Sequence, residues 1–127
     1  MEGETRVLIV EDDKFLSELI ATKLTKEHFQ ISSAADGEAG LKKAITEKPD
    51  IILLDIMLPG MDGFGVLKAL SAHADEAVKK IPVLILSNFG QESKVQEGLD
   101  LGAKDYLVKA NFTTGEIVEK IKKTLSL

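Results

Sequence analysis

The residues able to do chemistry stand where apolar runs end. Glu11-Asp12-Asp13 follows Val7-Leu8-Ile9-Val10, Asp55 follows Ile51-Ile52-Leu53-Leu54, Ser87 closes Val83-Leu84-Ile85-Leu86, and Lys109 follows Tyr106-Leu107-Val108. Short, continuously apolar runs read as strands buried on both faces, as in a parallel sheet. A parallel sheet brings the carboxyl ends of its strands to one edge, where ligands bind. The carboxylates, one hydroxyl and one ammonium then converge on one site. Carboxylates so crowded repel one another, and they either take up protons or hold a cation. Hard oxygen ligands with positions left for water suit Mg2+. In a pocket neutralised in that way a phosphate can approach, with Lys109 as counter-charge and Ser87 as hydrogen-bond donor. Asp55 is then the nucleophile toward phosphorus, giving an aspartyl phosphate.

Taken singly, each residue has a plain structural reading. An Asp after a strand commonly forms a turn or caps a helix, and Asp13 is expected to be such a cap. A lone Lys after a strand is commonly solvated. What outweighs these readings is coincidence, since strands 1, 3, 4 and 5 all end in a reactive or charge-complementary group.

The elements that must position these groups follow from periodicity. Strands are predicted over 6–10, 29–34 (weaker, nearer the sheet edge), 51–55, 83–87 and 105–108. Helices are predicted over 13–27, 38–47, 65–71, 92–101 and 113–125. The first carries Phe15, Leu16, Leu19, Ile20 and Leu24 on one face, and the last turns Ile117, Val118, Ile121 and Leu125 inward. Pro49 stops the second helix, Pro59, Gly60 and Gly63 mark a loop after Asp55, and residues 72–80 form a polar connection. Five strands alternating with five helices predict an α/β fold. It is a doubly wound, flavodoxin-like parallel sheet of order 2-1-3-4-5, with helices on both faces and one domain over 1–127.

Bulk properties exclude several classes. The net charge of −5 argues against direct nucleic-acid binding, and the absence of cysteine rules out disulfides and thiolate metal sites. His28 and His73 stand alone and read as surface residues. No apolar run approaches a membrane span, and the start Met1-Glu2-Gly3-Glu4-Thr5-Arg6 lacks the pattern of a signal peptide, so the expected location is cytoplasmic.

At this point a resemblance becomes explicit, and it covers essentially the whole chain. The ordered set Val10-Glu11-Asp12, then Asp55-Ile56-Met57-Leu58-Pro59-Gly60-Met61-Asp62-Gly63, then Leu86-Ser87, then Leu107-Val108-Lys109 resembles the receiver domain of two-component response regulators. The resemblance implies that Asp55 accepts a phosphoryl group from a histidine kinase or phosphotransfer protein. It implies that Asp12, Asp55 and the backbone carbonyl of Met57 bind Mg2+, with Glu11 acting through water or adjusting the ligand set. Ser87 and Lys109 would hold phosphate oxygens. Tyr106 would be the switch aromatic, turning inward as Ser87 moves. The surface built by the 92–101 helix, the fifth strand and the last helix would change, and a downstream protein target or an output domain would read it. Such a chain promotes only its own phosphorylation and dephosphorylation and is no enzyme toward other substrates. Two positions depart from the family's habit: Ala110 stands where a cis proline is usual, and Asn88 where a small residue is usual. Phe89 and Met57 flank the route of hydrolytic water, which predicts a shielded, long-lived phosphoryl group.

Other readings are weaker. A phosphatase of the haloacid-dehalogenase type needs a second carboxylate where Met57 stands, and Glu11-Asp12-Asp13 would repel a flavin phosphate. The remaining alternative is a receiver-like interaction domain that does not switch by phosphorylation.

Overall fold

The period-2 geometry of a strand sends alternate side chains to opposite faces, and here both faces are apolar. In the computed structural model, which describes residues 4–127, Leu8, Val10, Ile52, Leu54 and Ile85 enter one core, while Val7, Ile9, Ile51, Leu53, Leu84, Leu86 and Leu107 enter the other. The strands are β1 (Arg6–Val10), β2 (Gln30–Ala34), β3 (Ile51–Leu54), β4 (Val83–Ser87) and β5 (Asp105–Val108). All pair in parallel, in the order β2-β1-β3-β4-β5. Val10 pairs with Leu54, Leu54 with Ile85, and Ser87 with Val108, so the residues that follow these strands share one edge of the sheet.

Helices α1 (Lys14–Lys26) and α6 (Thr114–Thr124) pack on one face. The other face carries α2 (Gly37–Glu47), α3 (Gly63–Ser71), α4 (Glu76–Lys79) and α5 (Glu92–Asp100). Asp13, Asp36, Asp62, Asp75 and Thr113 cap the helices that follow them, each side chain accepting a backbone N–H of the first turn. Asp13 is thus the cap expected of it.

Three expectations need correction. Among the described residues there are six α-helices, not five: within the polar connection Asp75 caps a single turn and Val78 seals it into the core. Phe15 and Leu19 do not face inward. They are 72% and 44% exposed, because α1 presents Ser17, Ile20 and Leu24 to the sheet and its apolar stripe is wider than the buried one. Helix α3 starts at Gly63 rather than 65, since Asp62 supplies the cap. Among the described residues no helix is long and apolar enough to cross a membrane. The terminal Met1-Glu2-Gly3, part of the reading on signal peptides, lies outside the described residues.

Candidate functional site

Asp55 continues the ladder one residue past β3, its N–H donating to the Val10 carbonyl at 2.9 Å. The carboxylate is only 4% exposed. A buried charge without partners is costly, and both oxygens have one. Oδ2 lies 3.2 Å from Lys109 Nζ, and Oδ1 accepts the Met57 N–H at 3.3 Å. The same ammonium reaches Glu11 Oε1 at 3.0 Å, and Glu11 Oε2 accepts the Asp13 N–H at 3.0 Å. Lys109 therefore bridges the ends of β1 and β3 from the end of β5. No cis peptide bond occurs among the described residues. Lys109–Asn111 instead makes one 3-10 turn, and Ala110 does not keep the lysine from the pocket.

Carboxylate oxygens of Glu11, Asp12 and Asp55 lie within 4.8 Å of one another, with Asp12 exposed and the other two buried. Burial pushes the Glu11 carboxyl up to about 7, against the pull of the Asp13 N–H and of Lys109, and the Asp55 charge adds to the rise. For Lys109 burial works to lower the value, but the Glu11 hydrogen bond and the Asp55 and Glu11 charges outweigh it, and the pKa is raised. The ammonium stays charged, and Glu11, buried beside the Asp55 charge, favours its protonated form below about 7. A divalent cation would relieve the same repulsion, and oxygen ligands of mixed exposure suit one that keeps part of its water. These carboxylates open into a cleft of about 420 Å3, whose wall also includes Met57, Pro59 and Asn88. Met57 is 62% exposed at the cleft's rim.

Ser87 is placed differently from its neighbours. It is 0% exposed, its Oγ accepts the Phe89 N–H at 3.0 Å, and it does not line the cleft. Tyr106 is buried, and its hydroxyl donates to the Phe89 carbonyl at 2.6 Å. Ser87 and Tyr106 thus hold the N–H and the carbonyl of one residue, Phe89. Sequence reasoning put both at the site but missed this meeting point, because a backbone group leaves no trace in residue type.

Glycines set the frame. A Cβ at Gly63 would lie 2.3 Å from the Asp55 carbonyl oxygen, and one at Gly37 would lie 1.8 Å from the Met61 carbonyl oxygen. Both helix starts pack directly on the loop behind Asp55. His28 is exposed and His73 half-buried, and His73 Nδ1 accepts the Asp75 N–H at 3.0 Å. Neither belongs to the pocket.

Comparison with known proteins agrees with this geometry. The chain is 38% identical to the DNA-binding dual master transcriptional regulator RpaA of Synechocystis over 94% of its own length and 48% of that protein. It thus spans about half the length of that curated relative. The chemotaxis response regulator CheY4 of Vibrio cholerae superposes with a TM-score of 0.85 at 29% identity, covering 95% of this chain and 98% of that one. A chain of a CheX-CheY-BeF3-Mg2+ complex from Borrelia burgdorferi superposes with a TM-score of 0.84 at 31% identity, covering 95% of this chain and 89% of that one. Residues 7–122 match the response regulator receiver domain, and the chain belongs to that family.

Proposed function

We propose that this chain is a phosphorylation-dependent switch of a two-component system, acting as one receiver domain over residues 1–127 with Asp55 as the phosphoryl acceptor. One observation carries this reading: a nearly buried carboxylate at the end of β3 has a lysine at 3.2 Å and two more carboxylates grouped around it. An ordinary structural Asp needs none of these.

In the forward step an Asp55 carboxylate oxygen forms a bond to phosphorus as the phosphorus–nitrogen bond of a donor phosphohistidine breaks. The electron pair leaves with the imidazole, which takes up a proton. The donor is a histidine kinase or phosphotransfer protein. Asp12, Asp55 and the Met57 carbonyl would hold Mg2+, with Glu11 acting through water. When bound, the ion supplies positive charge to the phosphoryl oxygens and to the crowded carboxylates. The Borrelia complex, which contains Mg2+ and beryllofluoride, supports Mg2+ as the ion. Lys109 turns from its two carboxylates toward a phosphoryl oxygen. Ser87 Oγ accepts the Phe89 N–H and keeps its own proton to donate, but it is shut away from the cleft, and carrying the hydroxyl to a phosphoryl oxygen would draw it off that N–H. Once Ser87 moves, the Phe89 peptide loses one of its two side-chain anchors, and Tyr106 is left as the other.

The altered surface is that of α5, β5 and α6, and a downstream protein target or an output domain reads it. The domain itself contacts neither nucleic acid nor membrane, works in the cytoplasm, and catalyses only its own phosphorylation and dephosphorylation. Phe89 and Met57 shield the aspartyl phosphate from water.

Intact mass after incubation with acetyl phosphate and Mg2+ tests the reading. One added phosphoryl group, absent with EDTA and in Asp55→Asn, is the expected result. No addition to a folded chain that also fails to bind beryllofluoride would favour a receiver-like interaction domain without the switch.

A further inference from the structure

The cleft wall holds one polar side chain with no assigned task. Of the two adjacent polar residues at the end of β4, Ser87 is shut in and already bonded, whereas Asn88 is exposed and lines the cleft together with Asp55 and Lys109. No described residue accepts from or donates to the Asn88 carboxamide. A carboxamide offers two N–H donors without a charge. That chemistry suits this wall. A carboxylate at position 88 would add to the repulsion among Glu11, Asp12 and Asp55, and an ammonium would pair with them before any phosphate arrived.

We propose that Asn88 is a phosphoryl-binding residue: its carboxamide N–H donates to an oxygen of the group on Asp55 while Ser87 is still tied to Phe89. This rests on the reading of Asp55 as acceptor and adds a first contact made at the open side of the cleft. The hydroxyl of Ser87 joins afterwards, from behind.

The test uses the full chain with beryllofluoride and Mg2+, titrated by calorimetry, together with the side-chain amide resonances of Asn88. The wild-type resonances are expected to shift on binding. Asn88→Ala, which widens the mouth, and Asn88→Leu, which keeps it occupied, are both expected to bind about tenfold more weakly, the scale of one hydrogen bond to a charged group. Both are expected to melt at the wild-type temperature, since Asn88 supports no other described residue. If Asn88 acted by bulk alone the two variants would separate: Asn88→Ala would bind as well as or better than wild type and Asn88→Leu would match it, and either result overturns the proposal. Wild-type binding that is lost in Asp55→Asn but unchanged in both Asn88 variants removes the Asn88 assignment and leaves the acceptor reading standing. A wild type that does not bind beryllofluoride removes both.

Discussion

Gly63, the last residue of the Asp-x-x-x-Pro-x-x-x-Gly segment, offers the sharpest test of how the site is held. It is the first residue of α3 and donates its N–H to the Ile56 carbonyl at 2.8 Å. A methyl group at this position would lie 2.3 Å from the Asp55 carbonyl oxygen and 2.6 Å from Ile56 Cα, well inside the 3.4 Å at which ordinary contact begins. Both neighbours are backbone atoms of the strand end that presents the acceptor, so no side chain can rotate away to make room. Overpacking costs about 1–3 kcal/mol, and contact with backbone on two sides places Gly63→Ala at the upper end. The better helix propensity of alanine returns at most about 1 kcal/mol. The net loss is about 2 kcal/mol, or roughly 6 °C in a domain of this size.

The same collision acts on function, because relief comes only by moving α3 away or by pushing Asp55 toward the cleft. Either movement breaks the placement of Asp55 against Lys109. Gly63→Ala is therefore expected to lower the melting temperature followed by circular dichroism and to slow phosphorylation by acetyl phosphate at 20 °C, where the variant is still folded. A variant that melts within about 1 °C of wild type and is phosphorylated at the same rate would refute the claim that this close approach positions the acceptor.

Other expectations follow from the same geometry. Glu11 in the metal-free protein is expected to titrate near 7 by carbon-13 NMR of its carboxyl, above the ordinary 4.5. The folded state then keeps a proton that the unfolded chain has released, so this group's contribution to stability is full below about 4.5 and is lost as pH rises through about 7. Denaturation between pH 5 and 8 should show wild type losing ground to Glu11→Gln, and parallel pH profiles would contradict the raised value. Tyr106→Phe removes the hydrogen bond to the Phe89 carbonyl and is expected to cost about 1 kcal/mol, read as a lower melting temperature with the largest amide shifts at residues 88–91. Uniform small shifts would show that the bond does not anchor that loop. Phe89→Ala and Met57→Ala are each expected to hasten loss of the phosphoryl group, followed by intact mass, and an unchanged lifetime in both would remove the shielding assigned to them.

Much of this was legible in the sequence because the decisive groups terminate strands. Continuous apolar runs announce a parallel sheet, and a parallel sheet has only one carboxyl edge, so Glu11, Asp12, Asp55 and Lys109 had to meet once the strands were placed. What was illegible depends on which way a side chain turns. Phe15 and Leu19 fit the periodicity of a buried stripe, yet α1 buries the Ser17–Ile20–Leu24 line, and periodicity alone cannot say how wide a stripe the sheet will cover. The turn at Glu76–Lys79 was hidden by its polar neighbours, since a single buried Val78 makes no pattern. Ser87 reads as a pocket residue by its place at the end of β4, but the Phe89 N–H turns its hydroxyl away from the cleft.

The distribution of helix caps gives that last detail its meaning. Among the described residues, five of the six α-helices begin with a side chain that accepts a backbone N–H, and α5 does not, with Gln91 at its N-cap making no such bond. A missing cap is worth about 1 kcal/mol. Helix α5 is also thinly anchored along its length. Gly98 is its one buried residue, set so close to the Tyr106 ring that a Cβ there would lie 3.1 Å from it. The strand before it, β4, is buried from end to end. The chain therefore passes from a buried strand, through the doubly held Phe89, into a helix without a side-chain cap. In the proposed switch, drawing the Ser87 hydroxyl toward a phosphoryl group would loosen one of the two bonds on Phe89, while β4 on its other side stays packed from end to end. The freedom gained at Phe89 would then reach the uncapped start of α5. A charge-assisted hydrogen bond, worth about 1.5–3 kcal/mol, exceeds the roughly 1 kcal/mol a cap would have given the start of α5, which is enough to bias a two-state element.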